Sequence, residues 1–290
     1  MTASSRNAVL RTHFDLRSTL ASGQTFAFHE DGGSFFGIAD GRPVQIRQAG
    51  DGAYEILCPD ADADFWRRYF DLDNSYDKII KGFVDSCLQK SYEAGGVFLS
   101  ACIRGFGGLR LLRQPVWETV CAFIVSANNR QKRIESIYGR LSYAFGRPIE
   151  WAGRTFHSFP PPESLAASDE RAMREIGLGY RAPYLIETAR AINKRGIADL
   201  DGLTYEEALK YLISLKGVGE KVADCVLLFS TRHRVAFPVD TWIDRALREH
   251  FGMEGSRSAI KREAQDLFGE SAGLAQQFIF HGMRTGIPAA

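Results

Sequence analysis

The stretch Leu215-Lys216-Gly217-Val218-Gly219-Glu220-Lys221-Val222-Ala223-Asp224-Cys225, followed by Phe237-Pro238-Val239-Asp240-Thr241-Trp242, sets a glycine-bracketed turn, a lysine and a carboxylate within one short span of chain. Glycine lets the backbone adopt positive φ and approach a ligand closely, so Gly217 and Gly219 around one apolar residue predict a hairpin between two helices. The upstream helix is predicted to open at Thr204, with Glu207 completing a capping box, and to present Ala208, Leu209, Leu212 and Ile213 as its apolar positions. The second helix starts near Gly219 and runs through Lys221, Ala223, Val226, Leu227 and Phe229. Its first amides have no partner within the helix and favour an anion, for which a nucleic-acid phosphate is the obvious candidate. A plain interhelical turn fits the same five residues, so spacing alone leaves both readings open.

The downstream pair narrows the choice. Lys221 falls in the first turn of a helix, beside the positive end of its dipole, where a lysine amine is a candidate nucleophile. Asp240 follows Pro238 and precedes Thr241-Trp242-Ile243, the position of a helix N-cap. Taken singly, a solvated lysine and a structural cap explain each residue as well.

Together, residues 215–245 resemble the helix-hairpin-helix, Gly/Pro-rich loop, aspartate signature of the base-excision DNA glycosylases. Four further segments are similar to the 8-oxoguanine DNA glycosylase family, in the family order and over nearly the whole chain. They are Ser22-Gly23-Gln24-Thr25-Phe26, Gly108-Leu109-Arg110-Leu111-Leu112-Arg113-Gln114, Ser126-Ala127-Asn128-Asn129 with Arg133, and Leu178-Gly179-Tyr180-Arg181-Ala182.

The resemblance implies an enzyme that flips a damaged nucleotide out of the duplex and cleaves its glycosidic bond. Lys221 would attack the sugar and form a Schiff base that permits β-elimination, and Asp240 would stabilise cationic character on the sugar. Phe280 and Cys225 would face the two sides of the flipped base, Gln276 its Watson–Crick edge, and the Gly23 carbonyl the hydrogen on N7 that distinguishes 8-oxoguanine from guanine. Asn128, Arg133 and Arg181 would hold the orphaned cytosine, because their donors suit its acceptor atoms. Tyr180 would be the wedge in the stack, and Gly217, Gly219 and Trp242 would meet the DNA backbone. The implied partner is double-stranded DNA containing oxidised purines, bound by a monomer. The resemblance implies no required cofactor and suggests a monovalent cation at the hairpin carbonyls around Leu215 and Val218.

The chain departs from the eukaryotic pattern at Trp242, where histidine is usual, at Phe229, where methionine is common, at Lys216 in place of the hairpin proline, and at Arg130 in place of a third asparagine. With a short C-terminus lacking a basic tail, it looks like a bacterial, cytoplasmic member. Three alternatives remain at this level. A monofunctional alkyl-purine glycosylase would keep Asp240 but need no nucleophile at Lys221. An adenine-mismatch glycosylase is disfavoured by the missing cysteine cluster, and a non-catalytic DNA-binding module would need neither Lys221 nor Asp240.

Composition is compatible with this. The 290 residues suffice for a substantial core, and no run of ~20 apolar residues suggests a membrane span. Cys58, Cys87, Cys102, Cys121 and Cys225 are scattered without a C-x-x-C pair, which argues against a disulfide framework, a zinc site or an iron–sulfur cluster. Net charge is only +1, yet residues 104–154 hold nine arginines and lysines against three glutamates, whereas residues 51–100 hold ten acidic and five basic side chains. A local basic stretch is what a phosphate-facing surface requires, and a solvated helix face would show the same composition.

The fold class read from these patterns is α+β, with an N-terminal antiparallel β-sheet domain and a connecting helix over 1–103 and a larger α-helical helix-hairpin-helix domain over 104–290. Asp31-Gly32, Asp40-Gly41 and Asp51-Gly52 punctuate strand-like runs at 25–29, 34–38, 44–47 and 53–57, a hairpin signal repeated three times. Beyond about residue 75 the pattern is helical. Residues 115–126 form an apolar run too long for a strand, residues 154–162 read as a proline-rich surface connection, and a helix is expected from Ser164 to Ile176.

Overall fold

The computed structural model describes residues 7–287. Strand β1 (Asn7–Thr12) is followed by helix α1 (Leu16–Ala21) and then by β2 (Phe28–Asp31), β3 (Ser34–Ala39), β4 (Arg42–Gln48) and β5 (Tyr54–Pro59). These form one antiparallel sheet in the order β1-β5-β4-β3-β2. The turn after β3 places Asp40 and Gly41 at φ of 49° and 71°, the left-handed pair that a two-residue hairpin demands. β1 closes the sheet by pairing Val9 with Leu57. It was absent from the sequence reading, because an isolated run of alternating residues near a terminus carries no turn signal. Helix α2 (Ala63–Tyr69) lies on the sheet, and Trp66, Tyr69 and Phe70 cover Leu16, Val44, Ile46 and Ile56 in a buried cluster.

The helical part comprises α3 (Asp77–Gln89), α4 (Glu93–Phe106), α5 (Val116–Ser126), α6 (Gln131–Phe145), α7 (Pro162–Ala166), α8 (Glu170–Glu175), α9 (Ala182–Arg195), α10 (Tyr205–Ile213), α11 (Glu220–Ser230), α12 (Thr241–Phe251), α13 (Arg257–Phe268) and α14 (Ala272–Thr285). α5 runs through its centre, with every residue from Glu118 to Val125 buried. Phe123 of α5 stacks on Phe229 of α11 with ring centroids 5.5 Å apart. α3 precedes residue 104 and α4 runs across it, yet Phe83, Leu99 and Cys102 share the helical core with Phe268 and Ile279.

Two expectations are corrected here. The span 154–162 is not all connection: β7 (Arg154–His157) pairs with β6 (Pro148–Trp151) across a turn at Ala152 and Gly153, both at positive φ. Trp151 and Phe156 of this hairpin pack on Phe36 and Ile38 of the sheet, which is why apolar residues occupy a stretch that reads as surface. The helix expected over 164–176 is broken in two, because Asp169 caps α8 by accepting from the Ala172 amide at 3.1 Å.

Further bonds join the sheet to the helices. Asp71, at φ of 51°, accepts from Tyr76 Oη at 2.6 Å and from Arg234 Nη2 at 2.5 Å. Glu118 of α5 accepts from the Asp40 amide at 2.8 Å. All five cysteines are buried free thiols. Among the described residues no helix is long and apolar enough to cross a membrane.

Candidate active site

The site begins at the turn between α10 and α11. Both halves of the expected capping box at Thr204 and Glu207 form, so α10 opens where the sequence predicts. After Leu215, whose carbonyl accepts from Val218 N at 3.2 Å, the chain turns at Gly217 with φ of 79°. A Cβ at Gly217 would also lie 2.7 Å from Tyr184 Cβ, so both conformation and space demand glycine. The Lys216 carbonyl accepts from Thr188 Oγ1 at 2.8 Å, tying the turn to α9. Gly219 is the extended N-cap of α11, with no side chain capping the helix and open space around its α-carbon. The first amides of α11 therefore face outward, where an anion can reach them.

Lys221 follows in the first turn of α11, part-buried, with its Nζ 5.4 Å from the centre of the Phe123 ring. Cys225, one turn further on the same face, is 3% exposed. Burial pushes its thiol up to about 11, with the Lys221 side chain beside it pulling the other way. Asp240 caps α12 as expected: its Oδ1 accepts from the amides of Trp242 and Ile243, both at 2.9 Å. Its other carboxylate oxygen makes neither capping bond. Trp242 is 39% exposed.

Lys221, Asp240 and Trp242 meet in a cleft of about 770 Å³ between the turn after α1 and the helices, whose lining also includes Gly23, Asn128 and Phe280, whereas Cys225 does not line it. Gly23 comes from the turn after α1 and has φ of 76°. Phe280 reaches the cleft from α14. Gln276, one turn earlier on α14, is 3% exposed and does not line the open cleft. Its Nε2 donates to the Pro238 carbonyl at 3.1 Å, while its Oε1 is buried and has no hydrogen-bond partner. A buried acceptor without a protein partner can take a donor from a bound group.

The residues expected to face the opposite base form a second group. Asn128 adopts φ of 53° and donates from Nδ2 to Tyr180 Oη at 3.3 Å. Tyr180 is 48% exposed. Arg181 is 5% exposed, its Nε donating to the Ala127 carbonyl at 2.8 Å and its guanidinium 4.3 Å from the centre of the Tyr180 ring. Its donors thus brace the Asn128 loop in this state. Arg133 is exposed and donates to the Gly177 carbonyl at 3.2 Å.

Several cleft residues had no role in the sequence reading, among them Phe26, Phe123, Gln131 and Arg284. Phe26 and Phe123 form an edge-to-face pair at 5.9 Å on its apolar side. Arg284 lies over Phe280, 5.5 Å from the ring centre. Its spacing of four residues from Phe280 on a helix was the available signal.

Comparison with known proteins agrees with this architecture. Residues 8–120 match the model of the 8-oxoguanine DNA glycosylase N-terminal domain, and residues 121–270 match that of the HhH-GPD superfamily base excision DNA repair proteins. A probable N-glycosylase/DNA lyase of Methanothermobacter thermautotrophicus is 34% identical over 212 residues, covering 65% of this chain and 68% of the relative. The solved structure of MBOgg1 in complex with a low-affinity DNA ligand aligns with a TM-score of 0.86 at 34% identity, over 96% of this chain and 95% of the other. The Clostridium acetobutylicum 8-oxoguanine glycosylase/lyase, bound to double-stranded DNA with cytosine opposite 8-oxoguanine, aligns with a TM-score of 0.84 at 30% identity, over 93% and 92% of the two chains. The chain belongs to the HhH-GPD superfamily of base excision DNA repair proteins and, within it, to the 8-oxoguanine DNA glycosylase family.

Proposed function

We propose that this protein is a bifunctional DNA glycosylase and AP lyase that removes 8-oxoguanine, preferentially opposite cytosine, from double-stranded DNA. The observation that carries the reading is the convergence of Lys221 and Asp240 with Gly23 and Phe280 on one cleft. A nucleophile and a carboxylate on one side and a turn glycine and an aromatic ring on the other supply both a reaction and a place for a base. The duplex hides the bond to be broken, so the nucleotide is flipped into the cleft before reaction. Lys221 Nζ bonds to the sugar C1′ while the C1′–N9 electron pair leaves with the base, which takes up a proton. Opening of the sugar ring yields an imine with Lys221, and loss of a C2′ proton then expels the 3′ phosphate. The Asp240 carboxylate stabilises the positive charge that develops at C1′. Fixing both groups on adjoining helix starts replaces a bimolecular encounter by a held geometry.

The base reading has its own support. The unpartnered Gln276 Oε1 suits the donor-rich Watson–Crick edge of a guanine-type base. Asn128, Arg133, Tyr180 and Arg181 cluster beside the cleft, where a cytosine left behind by the flipped base would need donors.

The test is incubation with duplexes carrying 8-oxoguanine opposite cytosine or adenine, with and without borohydride. Base release, strand nicking and a covalent adduct are expected, with faster release opposite cytosine. The Lys221→Gln variant should lose the adduct and the nicking, a rate loss of at least about 10³-fold. Release without adduct or nicking in the unsubstituted protein would place it instead among monofunctional glycosylases.

A further inference from the structure

We propose that Gln277 and Arg284 of α14 act as an interlobe clamp that holds the Gly23 turn against Phe280, and that this clamp sets how selectively the pocket admits an oxidised purine. The proposal rests on the reading of Gly23 and Phe280 as base contacts.

The Gly23 turn is held by its neighbours. The Ser22 carbonyl accepts from Gln277 Nε2 at 2.9 Å, and the Ala21 carbonyl accepts from Arg284 Nη2. On the other side, the Gln24 carbonyl accepts from Gln114 Nε2 at 2.6 Å. The Gln24 side chain spans to Arg110 O and Leu112 N, both at 2.8 Å. Every one of these partners lies in the chain beyond residue 109. Among the described residues the carbonyls of Ala21, Ser22 and Gln24 each accept a hydrogen bond and the Gly23 carbonyl accepts none, so the one acceptor of the turn left open belongs to the residue that lines the cleft.

Arg284 is the central piece. Its Nη1 donates to Gln131 Oε1 at the start of α6 at 2.6 Å, so one guanidinium joins α1, α6 and α14. A Cβ built on Gly23 would lie 3.2 Å from Arg284 Nη1 and 3.3 Å from Phe280 Cε1. Turn, guanidinium and ring are therefore in mutual contact range. Among the described residues no carboxylate lies within ion-pair distance of Arg284, and the two hydrogen bonds it donates both go to the clamp partners Gln131 and Ala21.

Selectivity follows from rigidity. A carbonyl aimed at N7 attracts the N7 hydrogen of 8-oxoguanine and repels the N7 lone pair of guanine, but only while it cannot tilt away. Charge-assisted donors hold it more firmly than neutral ones. An abasic site presents no base, so nicking of abasic DNA draws on Lys221 without drawing on the Gly23 turn.

The experiment measures single-turnover excision from an 8-oxoguanine:cytosine duplex and nicking of an abasic duplex by the same preparations of Arg284→Met and Gln277→Leu. The ratio of excision to nicking is expected to fall at least about tenfold in each. Arg284→Lys, which can still reach the Ala21 carbonyl, should recover part of that ratio. If Arg284→Met fails to fold, Gln131→Ala at the cleft rim removes one clamp bond and should lower the ratio in the same sense. A ratio within about twofold of the unsubstituted protein overturns the clamp, as does a parallel fall of both activities. Absence of excision by the unsubstituted protein would instead overturn the functional reading on which the clamp rests, and the clamp with it.

Discussion

The two walls of the cleft are built in opposite ways. The wall carrying Lys221 and Asp240 comes from one continuous stretch, in which the capping box at Thr204, the left-handed Gly217 and the Asp240 cap each follow from sequence neighbours. The facing wall is assembled from the two ends of the chain: Ser22 and Gln277, which hold it together, are 255 positions apart. One wall needs only its own helices to be correct, whereas the other exists only while sheet and helices stay docked. Chemistry and recognition should therefore fail separately.

The most damaging test of the first wall short of removing Lys221 is Asp240→Asn. The amide oxygen still caps α12, so stability should change by no more than about 1 kcal/mol. Loss of the charge should slow base release by on the order of 10²–10³-fold. A large fall in melting temperature with little loss of rate would show that Asp240 serves as a cap alone.

The second wall is tested by Gly23→Ala. A side chain there meets left-handed backbone, the Arg284 guanidinium and the Phe280 ring together. Excision of 8-oxoguanine should drop by on the order of 10²-fold while abasic nicking falls far less. Equal losses would erase the contrast between the walls.

A smaller effect should come from the joint between the lobes. Glu118 is buried there, accepting from the Asp40 amide and from Tyr138 Oη at 3.2 Å, and burial pushes its carboxyl up to about 7. The hydrogen bonds from the Asp40 amide and Tyr138 oppose the rise, the Asp40 charge adds a smaller push upward, and Arg42 a smaller pull down. A folded value above the ordinary 4.5 means that the native state holds the protonated form better. That contribution is full below about pH 4.5 and is lost as pH rises through about 7, a swing on the order of 3 kcal/mol. Glutamine keeps the acceptor without the charge, so Glu118→Gln should gain melting temperature relative to the unsubstituted protein between pH 5 and 8. A difference that stays flat across that range would show that the joint does not titrate.

Legibility in the sequence followed the same division. The three Asp-Gly steps and the helix-hairpin-helix were readable because turn chemistry and capping act over a few residues. β1 and the β6–β7 hairpin were not. Their stability comes from partners far along the chain, Leu57 for Val9 and Phe36 for Trp151. Arg181 was found through its motif, yet nothing in Gly-Tyr-Arg-Ala says that its guanidinium is buried against the Ala127 carbonyl. Gln276 was found in the same way, while the orphaned state of its Oε1 depends on the Pro238 carbonyl occupying its amide instead.

The sequence by itself determined the hairpin, the placing of Lys221 in the first turn of α11, the Asp240 cap and the two-part α+β order. These rest on backbone conformation and on bonds between near neighbours, which a short stretch of chain specifies alone. Only the tertiary structure decided that Gly23 lies beside Phe280 and Arg284, and that its carbonyl alone among those of the turn accepts no hydrogen bond among the described residues. Contacts between residues hundreds of positions apart are selected by the packing of whole lobes, and no local pattern encodes them.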